Sequence, residues 1–296
     1  MRLIHLTDPH LTDLSDWRPG LTAGKRWLSW LSWRRKRRFH HRRETLDLLV
    51  DQLKRYQPDL FAVTGDLCQI GLEQEMIEAA DWLTSLREKA EVLLVPGNHD
   101  LFASDSIKAA HRHWSDFLHF SPGSTSWPTQ IDFGSVAVIG LNSSLPTAPL
   151  LASGKLGREL LQRLKSKLNQ LNDRFRVIML HHPPLPGLSN RRKGLQDVKE
   201  LAELLKQSGA DLVLHGHLHR NQQHELKLSS GQTLPVFCTA SASSSGHDLP
   251  ASARLFEVLP LSAESDRKRY SVEMKLLALD SAKQLQVIDQ TRWQTG

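Results

Sequence analysis

The chain has 296 residues, 40% of them apolar and 24% charged, the balance of a folded protein with a sizeable core, which excludes a disordered or fibrous chain. Its two cysteines, Cys68 and Cys238, are too few for a disulfide framework and point to a reducing compartment, the cytoplasm. The net charge of +6 is unevenly spread: ten Lys and Arg between positions 18 and 43, with no acid among them, leave the rest mildly acidic.

The first residues, Met1-Arg2-Leu3-Ile4-His5-Leu6-Thr7-Asp8, carry neither the apolar stretch nor the small-residue cleavage site of a secretory leader. No apolar run approaches the ~18 residues of a membrane-spanning helix. Attachment at the inner face of a membrane stays open. Short apolar runs at 3–6, 60–63, 92–95, 136–141, 177–180 and 212–214 read as buried strands. Between them, 44–55, 73–89, 157–171 and 195–207 read as amphipathic helices, the last stopped by Ser208-Gly209. The closing third is β-rich at 233–239, 253–258 and 270–276, and the Ser-rich piece 239–245 reads as a loop. This alternation predicts an α/β fold of two packed β-sheets flanked by helices, in one domain spanning 1–296 with a basic insertion at about 17–43.

Five clusters of metal-ligand residues each follow an apolar run: Asp8-Pro9-His10, Gly65-Asp66, Gly97-Asn98-His99-Asp100, His181-His182-Pro183-Pro184 and Gly216-His217-Leu218-His219. The carboxyl ends of strands are where an open α/β sheet gathers its ligands, so these turns can converge on one crevice. Imidazole, carboxylate and amide donors without thiolate suit borderline divalent ions. Asp8, His10, Asp66, Asn98, His181, His217 and His219 are too many for one ion and suit two ions sharing a carboxylate.

These five boxes, in this order, resemble the calcineurin-like metallophosphoesterases over about three quarters of the chain. The resemblance implies a four-layer sandwich and a phosphodiesterase or pyrophosphatase using two divalent ions (Mn, Fe or Zn) and a metal-bound hydroxide. It implies that Asp8, His10 and His219 hold one ion, that Asn98, His181 and His217 hold the other, and that Asp66 bridges them. His99 would steady the phosphoryl oxygens or protonate the leaving oxygen, with Asp100 orienting it. Many relatives carry Asp or Asn three residues beyond the bridging aspartate, where Gln69 stands here. His182 is read as the neighbour of the ligand and not the ligand itself, His5 and Cys68 as core, His215 as core or pocket lining, and His40 and His41 as part of the basic segment without a catalytic role.

The insertion carries Trp17, Trp27, Trp30 and Trp33 and the run Arg34-Arg35-Lys36-Arg37-Arg38. Indoles beside cations are the composition of a membrane-interface helix, and Trp27, Trp30, Arg34 and Arg35 are the expected contacts with an anionic membrane surface or a lipid substrate. A nucleic-acid groove uses similar residues, and tryptophans packing on the protein's own core are the third reading. Because the segment leaves the sheet directly after Asp8-Pro9-His10, it is expected at the site's mouth. The Gly-Asn-His-Asp and His-His-Pro-Pro boxes look like those of cyclic-nucleotide and glycerophospho-type phosphodiesterases. Relatives that cleave UDP-diacylglucosamine also have an apolar and basic lid, but the best-known of them carry arginine where His99 stands, which argues against the commonest version and leaves a divergent one open. A nuclease is a further alternative. A non-catalytic scaffold would be expected to lack ligands, and none is missing.

Overall fold

A computed structural model describes residues 1–18, 20, 24–246, 248–261 and 269–295. The predicted strands form where the apolar runs stand: β1 Arg2–Leu6, β2 Leu60–Val63, β3 Glu91–Leu94, β5 Val136–Gly140, β6 Phe175–Met179 and β7 Leu212–His215. To these are added β4 Thr129–Phe133, β8 Gln222–Lys227, β9 Thr233–Cys238, β10 Ser252–Pro260, β11 Tyr270–Leu279 and β12 Leu285–Thr295. The helices are α1 Gly24–Ser32, continued through a π-helical turn Trp33–Arg37 into α2 Arg38–His40, then α3 Arg43–Leu53, α4 Glu73–Arg87, α5 Ser104–Leu118, α6 Arg158–Gln170 and α7 Val198–Ser208.

One six-stranded sheet has the order β12-β11-β10-β1-β2-β3 and the other β4-β5-β6-β7-β9-β8. The strands β1, β2 and β3 run parallel, as do β5, β6, β7 and β9. Successive side chains of a strand point to opposite faces, and both faces of each sheet are apolar here. Leu3 faces an inter-sheet core with Leu60, Leu93, Val138, Val177 and Phe256. Ile4 and Leu6 instead meet Leu49, Leu53, Met76, Leu83 and Trp114 from α3, α4 and α5. On the far side, Ile139 and Ile178 pack on Leu164, Leu168, Leu201 and Leu205 from α6 and α7. The result is the expected helix–sheet–sheet–helix sandwich. Its parallel strands all end at one rim, where the five polar turns emerge.

Helix α5 and strands β4, β8 and β12 are absent from the sequence reading. Strand β8 alternates half-buried and exposed residues, and β12 is mostly exposed. Such edge strands lack the continuous apolar signal of a central one.

Candidate metal centre

The turns that carry the candidate ligands are tightly wound. Asp8, His10, Asp66, His217 and His219 all have positive φ, between 43° and 70°, a backbone region that costs side-chain-bearing residues energy and is held only where surrounding structure fixes it. Two close approaches explain neighbouring glycines. A Cβ on Gly97 would strike the Asp66 carboxylate, and one on Gly216 would strike the Thr7 hydroxyl. Asp100 fixes the second and third turns from below. Its buried carboxylate accepts from the N–H groups of Asp66 (2.8 Å), Gly97 (2.7 Å) and Cys68 (2.9 Å). This corrects the expectation that Asp100 orients His99: the carboxylate is committed to backbone and does not hydrogen-bond the His99 ring. Burial, reinforced by Asp66, pushes it up to about 7.

The ligand atoms of Asp8, His10, Asp66 and His219 all lie within 4.8 Å of one another, and so do those of Asp66, His181 and His217. Asp66 belongs to both groups. Asn98 joins the second through Oδ1, 3.2 Å from His181 Nε2. Several imidazoles are aimed by their other nitrogen: His10 Nδ1 donates to Cys68 O (2.9 Å) and His181 Nδ1 to Thr64 O (2.7 Å), the outer contacts that orient metal-binding histidines. His217 turns Nδ1 toward His181 Nε2 (3.2 Å). Imidazole nitrogens and a carboxylate gathered this closely fit a divalent ion. Burial would lower His181, but Asp66 at 3.4 Å lifts it to about 9. Burial likewise opposes protonation of His219, and Asp8 at 3.0 Å overcomes it. Burial, then the His181 charge, drives His217 down to about 3.

His182 faces away from these groups, bonded to Ser143 Oγ (2.8 Å) and Ala152 O (3.2 Å). His5 is buried between Thr64 Oγ1 (2.8 Å) and Thr239 Oγ1 (2.9 Å). His215 is buried on Gly216 O, and Cys68 packs on Met76.

His99 stands beside the ligands. Its N–H donates to Asp66 Oδ1 (2.7 Å), and its ring Nδ1 donates to Gln69 O (2.6 Å). The residue that departs from the family pattern therefore touches this ring through its backbone. The loop is folded by Glu75, whose carboxylate accepts from the N–H groups of Gln69 (2.6 Å), Ile70 (3.1 Å) and Leu72 (2.9 Å).

Two residues of the basic insertion reach the site, and neither was singled out by sequence. Arg37, at the end of the π-helical turn, places Nη1 3.0 Å from His99 Nδ1 and 3.3 Å from Nε2, while Nη2 donates to Ser29 O (2.8 Å) and Ser29 Oγ (2.6 Å). Its Nε is buried without a hydrogen-bond partner among the described residues. Burial drives His99 down to about 4, with Arg37 adding to that fall against the pull of Asp66. His41, read above as part of the basic segment without a catalytic role, lies with its ring centroid 4.5 Å from that of His10 and 5.4 Å from that of His219. Helical periodicity alone could not reveal it, because the chain between Arg38 and Arg42 turns back onto the Ser-rich loop at an isolated bridge from His41 to Ser244.

The tryptophans divide. Trp33 is buried with Leu14 and Ile70, and Trp17 and Trp30 pack on that cluster. Trp30 is therefore no free surface contact, since the positions facing Trp33 share its side of the helix. Trp27, Leu28 and Phe39 are exposed, as are Arg34 and Arg35, the former laid over the Trp30 ring at 5.5 Å. Arg26 pins the helix through Ile70 O, Gly71 O and Asp105. Among the described residues no helix is long and apolar enough to cross a membrane.

Fold and site together are those of the metallophosphoesterase class. The chain belongs to the calcineurin-like phosphoesterase family, whose model matches residues 1–221. It is similar to a 3',5'-cyclic-nucleotide phosphodiesterase of Nostoc sp., 30% identical over 192 residues, 62% of this chain and 66% of that protein. It is also similar to a probable glycerophosphodiester phosphodiesterase of Arcobacter nitrofigilis, 30% identical over 168 residues, 55% of this chain and 58% of the relative. In both cases the match spans less than two thirds of the relative's length. Among solved structures, a purple acid phosphatase from yellow lupin (Lupinus luteus) seeds shares the fold with a TM-score of 0.55 over 98% of this chain and 53% of that one, at 14% identity.

Proposed function

We propose that this chain hydrolyses phosphodiester or phosphoanhydride bonds at a dinuclear metal centre. Asp8, His10 and His219 would hold one divalent ion, Asn98, His181 and His217 the other, and Asp66 would be shared. The observation that carries this reading is the membership of Asp66 in both groups of mutually close ligand atoms. Bound ions would supply positive charge to the phosphoryl oxygens and lower the pKa of water.

The chain's own residues supply the remainder. Arg37 is a standing cation next to these groups, tied to Ser29 and, among the described residues, bonded to no carboxylate, and a guanidinium so placed would bind phosphoryl oxygens. His99 spends its Nδ1 proton on Gln69 O, which leaves Nε2, 3.3 Å from Arg37 Nη1, as the ring's acceptor. At rest it is a neutral hydrogen-bonded pillar. A phosphoryl group seated against it would favour its protonated form, which can then donate a proton to the leaving oxygen.

The names of the two relatives support a diester substrate. The exposed Trp27 and Leu28, directly before the Ser29 that anchors Arg37, support an amphiphilic substrate or an anionic membrane surface beside the mouth.

The test is metal content together with turnover on bis-p-nitrophenyl phosphate, a cyclic nucleotide, a UDP-linked lipid and single-stranded DNA in the presence of manganese. Two ions per wild-type chain are expected, with both occupancy and turnover lowered in Asp66→Ala. Undiminished turnover in that variant refutes the dinuclear reading. Cleavage of DNA alone, with a steep salt dependence, would replace the diester reading with a nuclease.

A further inference from the structure

Three imidazoles, His10, His41 and His219, bring ring nitrogens within 4.8 Å of one another. His10 and His219 belong to the ligand set above. His41 comes from the basic insertion, and the backbone around it is bound to the Ser-rich loop: Arg42 N donates to Ser243 O (2.9 Å) and Ser245 N to His40 O (2.8 Å).

The hydrogen bonds of His41 decide which nitrogen is free. Nδ1 lies 2.9 Å from Ser243 Oγ and 3.2 Å from Ser241 Oγ. Ser241 gives its hydroxyl proton to Asp8 O at 2.6 Å, so its oxygen accepts from the ring. Nδ1 therefore carries the proton and Nε2 the lone pair. Among the described residues no protein hydrogen bond reaches Nε2. His10 and His181 are arranged in the same way, with Nδ1 spent on the carbonyl oxygens of Cys68 and Thr64. An imidazole anchored at one nitrogen, with the other directed at neighbouring imidazoles, is the ordinary preparation for metal binding.

We propose that His41 is a further protein ligand in the metal site of Asp8, His10 and His219, so that the basic insertion is fastened to the metal. This rests on the dinuclear reading above. A third imidazole in that site has two consequences. It shifts preference toward later first-row ions, which favour nitrogen donors over the oxygen donors that suit manganese and magnesium. It also couples metal loading to the position of 24–42, because His41 lies four residues beyond Arg37 on the same continuous stretch.

The test uses the full chain stripped with chelator and titrated with zinc and, separately, manganese. Wild type is expected to bind two ions. In His41→Ala one ion should bind on the order of tenfold more weakly or worse while the other is unchanged, with the larger loss for zinc. The cobalt-loaded variant should show an altered ligand-field spectrum, and metal should no longer slow proteolysis within 24–42. His41→Gln, which keeps a polar side chain of similar reach, guards against simple misfolding and should show the same loss. Two ions bound with wild-type affinity and an unaltered cobalt spectrum in either folded variant overturn the role of His41 and leave the dinuclear centre standing. A wild-type chain that binds no ion overturns both.

Discussion

Arg37 Nη1 lies 3.0 Å from His99 Nδ1 and 3.3 Å from Nε2, joining the basic insertion to the Gly-Asn-His-Asp turn. The contact sets a cation beside a neutral imidazole at the edge of the ligand cluster, and it ties the helix starting at Gly24 to the chemistry. Removing the guanidinium should leave the metals in place, because its bonds run to Gln69, His99 and Ser29, and His41 is held separately by its backbone bonds to the Ser-rich loop. A hydrogen bond to a charged group contributes about 1.5–3 kcal/mol. Arg37→Ala is therefore expected to raise KM for a diester, and the inhibition constant of inorganic phosphate, on the order of 10- to 100-fold, with Arg37→Lys intermediate. Steady-state kinetics with phosphate as competitor reads this directly. An unchanged phosphate constant would show that Arg37 only supports the fold.

His99→Ala tests the other partner. If the ring acts on the phosphoryl or leaving oxygen, the variant keeps its full metal content yet loses on the order of 10²–10⁴ in rate. The loss should be smaller for a substrate whose leaving group is already acidic, such as a nitrophenyl ester, than for an alkyl ester. Loss of metal in His99→Ala would instead place the ring among the ligands.

The tryptophans separate by burial, so their substitutions should separate by phenotype. Trp33 is 3% exposed and Trp27 45%. Truncating a buried aromatic costs about 3–5 kcal/mol, whereas an exposed substitution stays within about 0.5 kcal/mol. Trp33→Ala should shift the denaturant midpoint strongly and Trp27→Ser hardly at all. Trp27→Ser should instead weaken sedimentation with anionic vesicles and turnover of an amphiphilic substrate while sparing a soluble ester. Equal vesicle binding by Trp27→Ser and wild type would remove the membrane reading.

His5 gives a pH signature independent of metal. Burial, with help from Arg254 and His215, holds it down to about 3 against an ordinary value of 6.5. The native state thus binds fewer protons here than the unfolded chain. The stability it confers is complete above pH 6.5 and is lost progressively as pH falls toward 3. His5→Gln, which can still hydrogen-bond Thr64 and Thr239, should lower the melting temperature at pH 7 by a modest amount and flatten its decline between pH 6.5 and 5. Parallel melting curves for the two proteins across that range would show that His5 does not titrate on unfolding.

The sequence by itself determined the layers and picked out the polar side chains that the fold gathers at one rim. Apolar runs such as 60–63 and 212–214 are short, continuous and followed at once by Asp or His, and strands buried on both faces leave that signal wherever they lie in a chain. Asp8, Asp66, Asn98, His181, His217 and His219 could be read because local chemistry and position at a strand end coincide in them. The tertiary structure decided what depends on the path of the chain between such ends. Only the folded course of 24–42 carries Arg37 to His99 and His41 to His10, and in sequence both residues are indistinguishable from their solvated basic neighbours. Only the stacking of the second and third turns shows that Asp100 holds backbone N–H groups, leaving Gln69 O and Arg37 to hold the His99 ring. Hydrophobic periodicity reports which face of a segment is buried. It carries no information about which distant segment a polar side chain will meet, because those contacts are fixed by the packing of the sheets and not by the residues adjacent in the chain.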